Sequence, residues 1–290
     1  MSLVNKENSL PGFSNSVDEI EKEMLKQEQV DCPVLHHFGP GVYMREVHIP
    51  AGTISIGHHQ KFEHMNIFLK GHVTILNGDG TTTDLKAPMT FVGKPGRKIG
   101  YIHEDMTWVN VYSTNETDIE KLEAQFLEKS EGWKESIDRL NNSTLIEGSI
   151  DKSDYEKVVE ESGFSKEEIK AQVENEEDMT ELPYGHYKIK LGNSKIHGKG
   201  LFATSLIEAG DTICPARIKG LRTIAGRFTN HSKTPNAKMF QGVDHEIELV
   251  ALKEIKGCKG GLDGEEITID YREALKLNLE IGNMEVLCQE

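Results

Sequence analysis

The hydrophobic pattern changes period along the chain. Between residues 34 and 113, short alternating runs such as "GVYMREVHIP", "GTISIG", "MNIFLKGHVTIL" and "TWVNVYS" are separated by Gly and Pro. Alternation with period two, bounded by turn residues, predicts half-buried strands, and many short strands predict a sandwich or small barrel. "NGDG", between "VTIL" and "TTTDLK", predicts a hairpin turn. From 117 to about 178 the spacing becomes helical, in "DIEKLEAQFLEKSEGWKESIDRL", "SDYEKVVEESG" and "SKEEIKAQVENEED", which predicts two or three helices. Ser165 with Glu168 three residues on predicts a capping box, and Gly163 a helix stop. Strand texture returns from 184 and ends at "EEITIDY". Residues 1–33 read as a poorly ordered start followed by a short amphipathic helix, "VDEIEKEMLKQEQV".

The expected organisation is therefore a flexible or helical N-terminus (1–33), a β-barrel (34–115), a helical linker (116–181), a second β domain (184–275) and a tail (276–290). Composition narrows the class. Charged residues make up 28% of the 290, and no apolar run reaches membrane-span length, so a soluble protein is expected. The start "MSLVNKENSLPGF" has neither the basic nor the apolar region of a secretory signal. Cys32, Cys214, Cys258 and Cys288 are scattered without a C-x-x-C pair, which argues against a zinc cluster and for a reducing, cytoplasmic setting. A net charge of −15 disfavours a broad nucleic-acid surface. The acid is concentrated in 116–181, where a solvated helical face is the ordinary reading, whereas 184–275 is mildly basic.

Three stretches of the second β domain carry chemistry. "NSKIHGKGLFATSLIEAGDTI" (193–213) sets Gly198 and Gly200 around a lysine, which lets the backbone bend and approach a ligand. "GRFTNHSKTPNA" (226–237) gathers Arg227, Asn230, His231 and Asn236 near a turn-forming Pro. "GEEITIDYRE" (264–273) ends its alternation on Tyr271. Each alone is unremarkable as a turn, a polar corner and a strand end. In this order they resemble the SET-domain protein lysine methyltransferases, whose motifs are a GxG followed by "I.AGD.I", an R-F-x-N-H-S-x-x-P-N, and a G-E-E-[IL]-T-[IF]-D-Y. The resemblance covers roughly 184–275.

That resemblance implies a compact, β-clip-like SET fold with a pseudoknot-like threading, and transfer of the methyl of S-adenosylmethionine to a lysine ε-amine of a protein substrate. It implies that Ile196, His197, Gly198, Lys199 and Gly200 lie along the cofactor, and that Arg227, Asn230 and His231 meet its amino-acid end and adenine. Tyr271 would be the catalytic residue. Deprotonating a lysine at pH 7 costs about 4–5 kcal/mol from a reference pKa of ~10.4; a dry channel and a nearby sulfonium reduce that cost, leaving Tyr271 to orient the amine. Two features depart from the family: the stretch between Asp211 and Asn230 is short, and flanking Cys-rich zinc segments are missing. Leu275, Leu277 and Leu279 would be the candidates to close the channel. A non-catalytic interaction or structural protein that retains the fold is the alternative.

The first β domain offers a second site. His58, His64 and His103 are candidate ligands for one Zn, Fe, Ni or Mn ion, with Gln60 a weak fourth. The segment "GHHQKFEHMNIFLKG" resembles the first cupin motif, H-x-H-x3-E-x6-G. His58 and Gly71 keep their positions, Gln60 replaces the second His and His64 the Glu. The resemblance implies a cupin-like small barrel or jelly roll, like compact domains of tailed-phage proteins. It also implies a viral source acting in the host cytoplasm, oligomerisation through the barrel, and metal-dependent activity as a third reading. The competing reading makes these histidines ordinary buried or surface residues of a scaffold.

Overall fold

A computed structural model describes residues 2–4, 17–77, 80–143, 145–242 and 246–277. The chain is mainly β and divides into two compact units. The first comprises 1–143 with 184–188 and 257–264; the second comprises 144–183, 189–256 and 265–290. This redraws the expected boundaries. Part of the expected linker belongs to each unit, and two segments of the expected SET domain fold with the first.

In the first unit, β1 (Ser2–Val4), α1 (Val17–Met24), β2 (Val34–Gly39), β3 (Val42–Ile49), β4 (Thr53–Ile56), β5 (His59–Gln60), β6 (His64–Leu76), β7 (Thr82–Lys86), β8 (Met89–Gly93) and β9 (Ile99–Ser113) follow one another. Nine strands form one sheet, in the order β1-β4-β9-β3-β2 and then β11 (Gly185–Tyr187), with β6 also on β9 and carrying β7 and β8. Among the described residues these pairings show no closed barrel. Register shifts between Phe68 and Val73 bend β6 across β9. Alternation works as the sequence predicts: Phe68, Val73, Ile102 and Trp108 turn inward around Cys32, Ile49 and Met106. A second cluster joins Ile20 and Met24 of α1 to Ile54, Ile56 and Ile99.

Residues 2–4, expected to be loose, pair with β4. Gly78 and Asp79 of the expected hairpin turn lie outside the described residues; the flanking Leu76 and Thr82 are paired. The first predicted helical run is broken after α2 (Ile119–Phe126), because β10 (Leu127–Glu128) pairs with β5, and α3 (Glu131–Ser143) follows. α1 is tied down by Glu21, 2% exposed, which takes Arg97 bidentately at 2.5 and 3.1 Å and also accepts from the Ser130 hydroxyl.

The second unit begins with α4 (Leu145–Ser162) and α5 (Lys166–Glu174). The Ser165–Glu168 capping box is formed, and Gly163 ends α4 at φ +73°. β12 (Ile189–Asn193), β13 (Lys199–Ala203), β14 (Thr212–Ile218), β15 (Leu221–Arg222), α6 (Ile224–Phe228), β16 (Asn230–His231), β17 (Ala237–Gln241), β18 (Ile247–Ala251) and β19 (Glu266–Ile269) build two four-stranded sheets. One runs β12-β13-β19-β16 and the other β15-β14-β18-β17. Ile189, Leu201, Ala203, Ala216, Leu249 and Ile267, all fully buried, form the interior. No helix among the described residues is long and apolar enough to cross a membrane.

Candidate functional site

In the second unit, β16 pairs with β19 in parallel, Asn230 beside Thr268 and His231 beside Ile269. Parallel neighbours cannot come from a hairpin, so residues far apart in sequence are fixed side by side. Asn230 ties this pair to the glycine turn. Its Nδ2 lies 3.2 Å from His197 O, 3.0 Å from Lys199 O and 2.8 Å from Glu266 Oε1. Glu266 also accepts from the Ser194 hydroxyl at 2.9 Å, and Ser194 Oγ accepts from the Ile196 and His197 amides. Burial, opposed by these hydrogen bonds, raises the Glu266 carboxyl above its usual range. Gly200 faces this carboxylate so closely that a Cβ would meet Glu266 Oε1, while Gly198 turns at φ +53° with open space beside it.

Asn236 holds the same strand from its other end. Its amide donates to Glu266 O and accepts from Thr268 N, both at 2.8 Å. β19 delivers Tyr271 at the start of the helical residues 271–277. The Tyr271 amide donates to His231 Nδ1 at 3.2 Å, its ring lies 5.3 Å from the His231 ring, and its hydroxyl donates to Thr229 O at 3.0 Å. Burial pushes the phenol pKa far up, so the hydroxyl stays protonated and acts as a donor.

Helix α4 covers this corner with an acidic face. Asp154 accepts from His231 Nε2 at 3.1 Å and from Arg272 at 2.8 Å. Glu161 takes Arg272 Nε at 2.6 Å, Asp151 accepts from the Ser232 hydroxyl, and Tyr155 stands edge-on to Tyr271 at 5.9 Å. Arg272, then His231, hold the Asp154 carboxyl down to about 2. Asp151, Asp154, Tyr155, Glu161, Glu266 and Arg272 were not among the expected site residues. The α4 acids read as solvated in sequence because their periodicity was that of any charged face.

The glycine turn, Asn230, His231 and Tyr271 are thus linked in one network. Three features bear on the expected cofactor contacts. The Ile196 and His197 amides are occupied by Ser194. The side chains of Asn230 and His231 hold protein groups together and do not stand free for a ligand. Leu275 and Leu277 are half-buried, and Leu279 lies outside the described residues. Arg227 is the exception: its Nε is buried without a hydrogen-bond partner among the described residues, and its guanidinium lies over Phe228 at 5.3 Å. A buried donor of this kind suits an anionic group.

The three histidines expected to share a metal do not converge. His58 packs edge-on against Trp133 at 5.2 Å, and burial lowers its pKa well below the usual value, so it is neutral. His64 uses both nitrogens within the protein, Nδ1 on Phe62 O at 3.1 Å and Nε2 on Asn110 at 3.1 Å. Gln60 accepts from the Tyr112 hydroxyl. His103 lies on the exposed face, where Thr74 Oγ1 meets its Nε2 at 2.7 Å. There it joins a different set: His72, Asp84 and His103 bring their ligand atoms within 4.8 Å of one another, the one such group of His, Cys, Asp or Glu among the described residues. The signal for it was cross-strand register, since His72 and Asp84 lie on paired strands β6 and β7 and no linear motif joins them.

No protein-family model matches the sequence, and no curated protein does. Solved structures with cupin-like folds are among its structural neighbours. A cupin domain from Bordetella pertussis Tohama I is 14% identical, with 30% of this chain covering 98% of that one at a TM-score of 0.25. A cupin-2 domain containing protein from Shewanella frigidimarina NCIMB 400 is 12% identical, over 33% and 92% of the two chains, at 0.25. A putative ethanolamine utilization protein Q from Salmonella typhimurium LT2 is 10% identical, over 28% and 69%, at 0.24.

Proposed function

We propose that the second unit is a protein lysine N-methyltransferase that uses S-adenosylmethionine. The observation that carries this reading is the single network in which Asn230 joins the His197–Lys199 turn to β19 while His231 receives the Tyr271 amide. When bound, S-adenosylmethionine supplies an electrophilic methyl on a sulfonium. Arg227, with its orphaned Nε, would take the cofactor's carboxylate. Tyr271, kept protonated by burial, suits orienting an amine and not removing its proton. Tyr155, edge-on to it, adds a second aromatic face of the kind that shelters a lysine side chain and strips its water. The partner on this reading is a lysine-bearing protein, and the barrel-like first unit would serve as scaffold or contact for further copies.

Calorimetry with S-adenosylmethionine, followed by labelled-methyl transfer into lysine-rich proteins, tests the proposal. Tyr271→Phe is expected to bind the cofactor within about twofold of the parent while transfer falls by at least a hundredfold. Absence of cofactor binding to the folded protein removes the methyltransferase reading and leaves a non-catalytic fold. In the first unit, the convergence of His72, Asp84 and His103 supports a divalent-metal site on the exposed face of the sheet, with two imidazoles and a carboxylate as its donors.

A further inference from the structure

The inward face of the first unit carries side chains that neither the methyl-transfer reading nor the exposed metal group uses. Three strands set them in rows. Arg45 of β3 lies opposite Asn110 of β9, which lies opposite Asn66 of β6; the next inward row is Val47, Trp108 and Phe68. Apart from Phe68, these residues wall a cavity of about 170 Å³, into which Lys98, His58 and Gln60 also face, with Val73, Ile75, Ile102 and Met106 as its apolar lining. A cavity of roughly 150 Å³ accommodates a benzene-sized body, so this one has room for a ligand of that order.

The polar groups of the cavity are unevenly satisfied. Asn66 Oδ1 accepts from Trp108 Nε1 and Asn110 Nδ2, both at 2.8 Å. The two cations are not matched in this way. Among the described residues, Arg45 Nε is buried without a hydrogen-bond partner, and no carboxylate lines the cavity. Glu123 shares a smaller recess with Arg45 but is itself held by Lys129 at 2.6 Å. Glu46, on the opposite face of β3, is taken by His37 and His48 at 2.9 and 2.8 Å. Burial lowers the Lys98 pKa, the signature of an ammonium without a counter-charge. His58 is neutral and adds no charge of its own. Burying charge without a partner is costly, so an arrangement of this kind is expected where an anion completes it.

We infer that this cavity binds a small carboxylate with a compact apolar body, the carboxylate between Arg45 and Lys98 and the body against Val47, Ile102, Met106 and Trp108. Arg45 offers a planar fork that takes a carboxylate bidentately, and Lys98 adds a point charge beside it. The apolar lining supplies the remaining affinity and excludes a bare hydrated ion. This site is separate in residues and in chemistry from the exposed His72–Asp84–His103 group, whose donors select a cation. It does not depend on methyl transfer by the second unit.

The test is calorimetry and thermal unfolding of the full chain with benzoate and hexanoate, at constant ionic strength in chloride. Benzamide serves as the neutral isostere and inorganic phosphate as the bare anion. The expected result is saturable binding of at least one carboxylate, at least tenfold weaker in Arg45→Met and in Lys98→Met, with benzamide at least tenfold weaker than benzoate. The two variants guard against a folding artefact, because replacing an uncompensated buried cation by an apolar side chain should leave the unliganded melting temperature equal or higher. No carboxylate binding at 10 mM overturns the inference. So does equal binding of benzamide, binding of phosphate alone, or a Lys98→Met protein that melts lower and still binds benzoate normally.

Discussion

Asn236 is the residue whose removal tests most directly how the second unit positions Tyr271. It is 7% exposed, and its amide makes two hydrogen bonds of 2.8 Å to the backbone of β19, one to Glu266 O and one from Thr268 N. Asn236→Ala leaves a buried carbonyl and a buried N–H without their partner. Each such group costs about 1–3 kcal/mol, so a local loss of about 2–4 kcal/mol is expected after some relaxation. At about 1.4 kcal/mol per factor of ten, the Thr268 amide should exchange with solvent roughly 30-fold to 1,000-fold faster. Hydrogen–deuterium exchange of a peptide spanning 266–271 reads this directly. Both tryptophans, Trp108 and Trp133, lie in the first unit, so their fluorescence should be unchanged and shows that the effect is local. Asn236→Asp keeps the acceptor for Thr268 and loses the donor, so it should fall between the parent and the alanine variant, with methyl transfer following the same order. Thr268 exchange within about threefold of the parent in Asn236→Ala would refute the claim that this side chain clamps β19.

Gly200→Ala should destabilise by about 1–3 kcal/mol, because the new methyl meets the Glu266 carboxylate, whereas Gly198→Ala meets open space and should cost only about 1 kcal/mol for its left-handed backbone; chemical denaturation ranks the two. Asp154 has its carboxyl held down to about 2, so its stabilising contribution is complete above the ordinary carboxylate pKa near ~3.9 and is lost as pH falls toward 2. Exchange across 151–162 should therefore rise through that window in the parent, and Asp154→Asn should flatten the dependence. Zinc or nickel titration should load one equivalent on His72, Asp84 and His103, with affinity at least tenfold lower in His103→Ala and in Asp84→Asn and unchanged in His64→Ala.

Much of this architecture is legible in local pattern because local pattern is what short-range physics writes. The Ser165–Glu168 box, the Gly163 stop and the inward alternation of β9 depend on neighbours within a few residues. The motif residues Asn230, His231 and Tyr271 also meet, because each lies at the end of a short element whose register the apolar positions set. What the sequence did not disclose depends on pairing at long range. Order along the chain groups His103 with His58 and His64, yet a strand turns successive side chains to opposite faces, and the bulges in β6 align His72 with His103 instead. The segments 184–188 and 257–264 read as parts of the second β domain, but β11 completes the edge of the first unit's sheet beside β2. Cys258 likewise pairs its backbone with Cys32, more than two hundred residues away.

The acid of α4 changes meaning once its partners are known. Asp151, Asp154 and Glu161 recur at helical spacing around the buried Val158, so the helix carries both an apolar anchor and three carboxylates that bond Ser232, His231 and Arg272. A helix attached through an apolar stripe alone would be indifferent to acid and salt. One attached through Arg272 is not, since Asp154 and Glu161 hold that guanidinium in ion pairs that salt screens and that are lost when the two carboxylates protonate. If His231 and Tyr271 form the reaction centre, the same helix decides how far a cofactor or a lysine can approach them, because Tyr155 already packs on Tyr271 and Asp154 already accepts from His231. Activity should then rise with mild loosening of α4 and vanish with loss of β19. Salt up to about 0.5 M should increase transfer in the parent and leave an Asp154→Asn protein flat. Acceleration of both proteins alike would mean that α4 does not gate the centre.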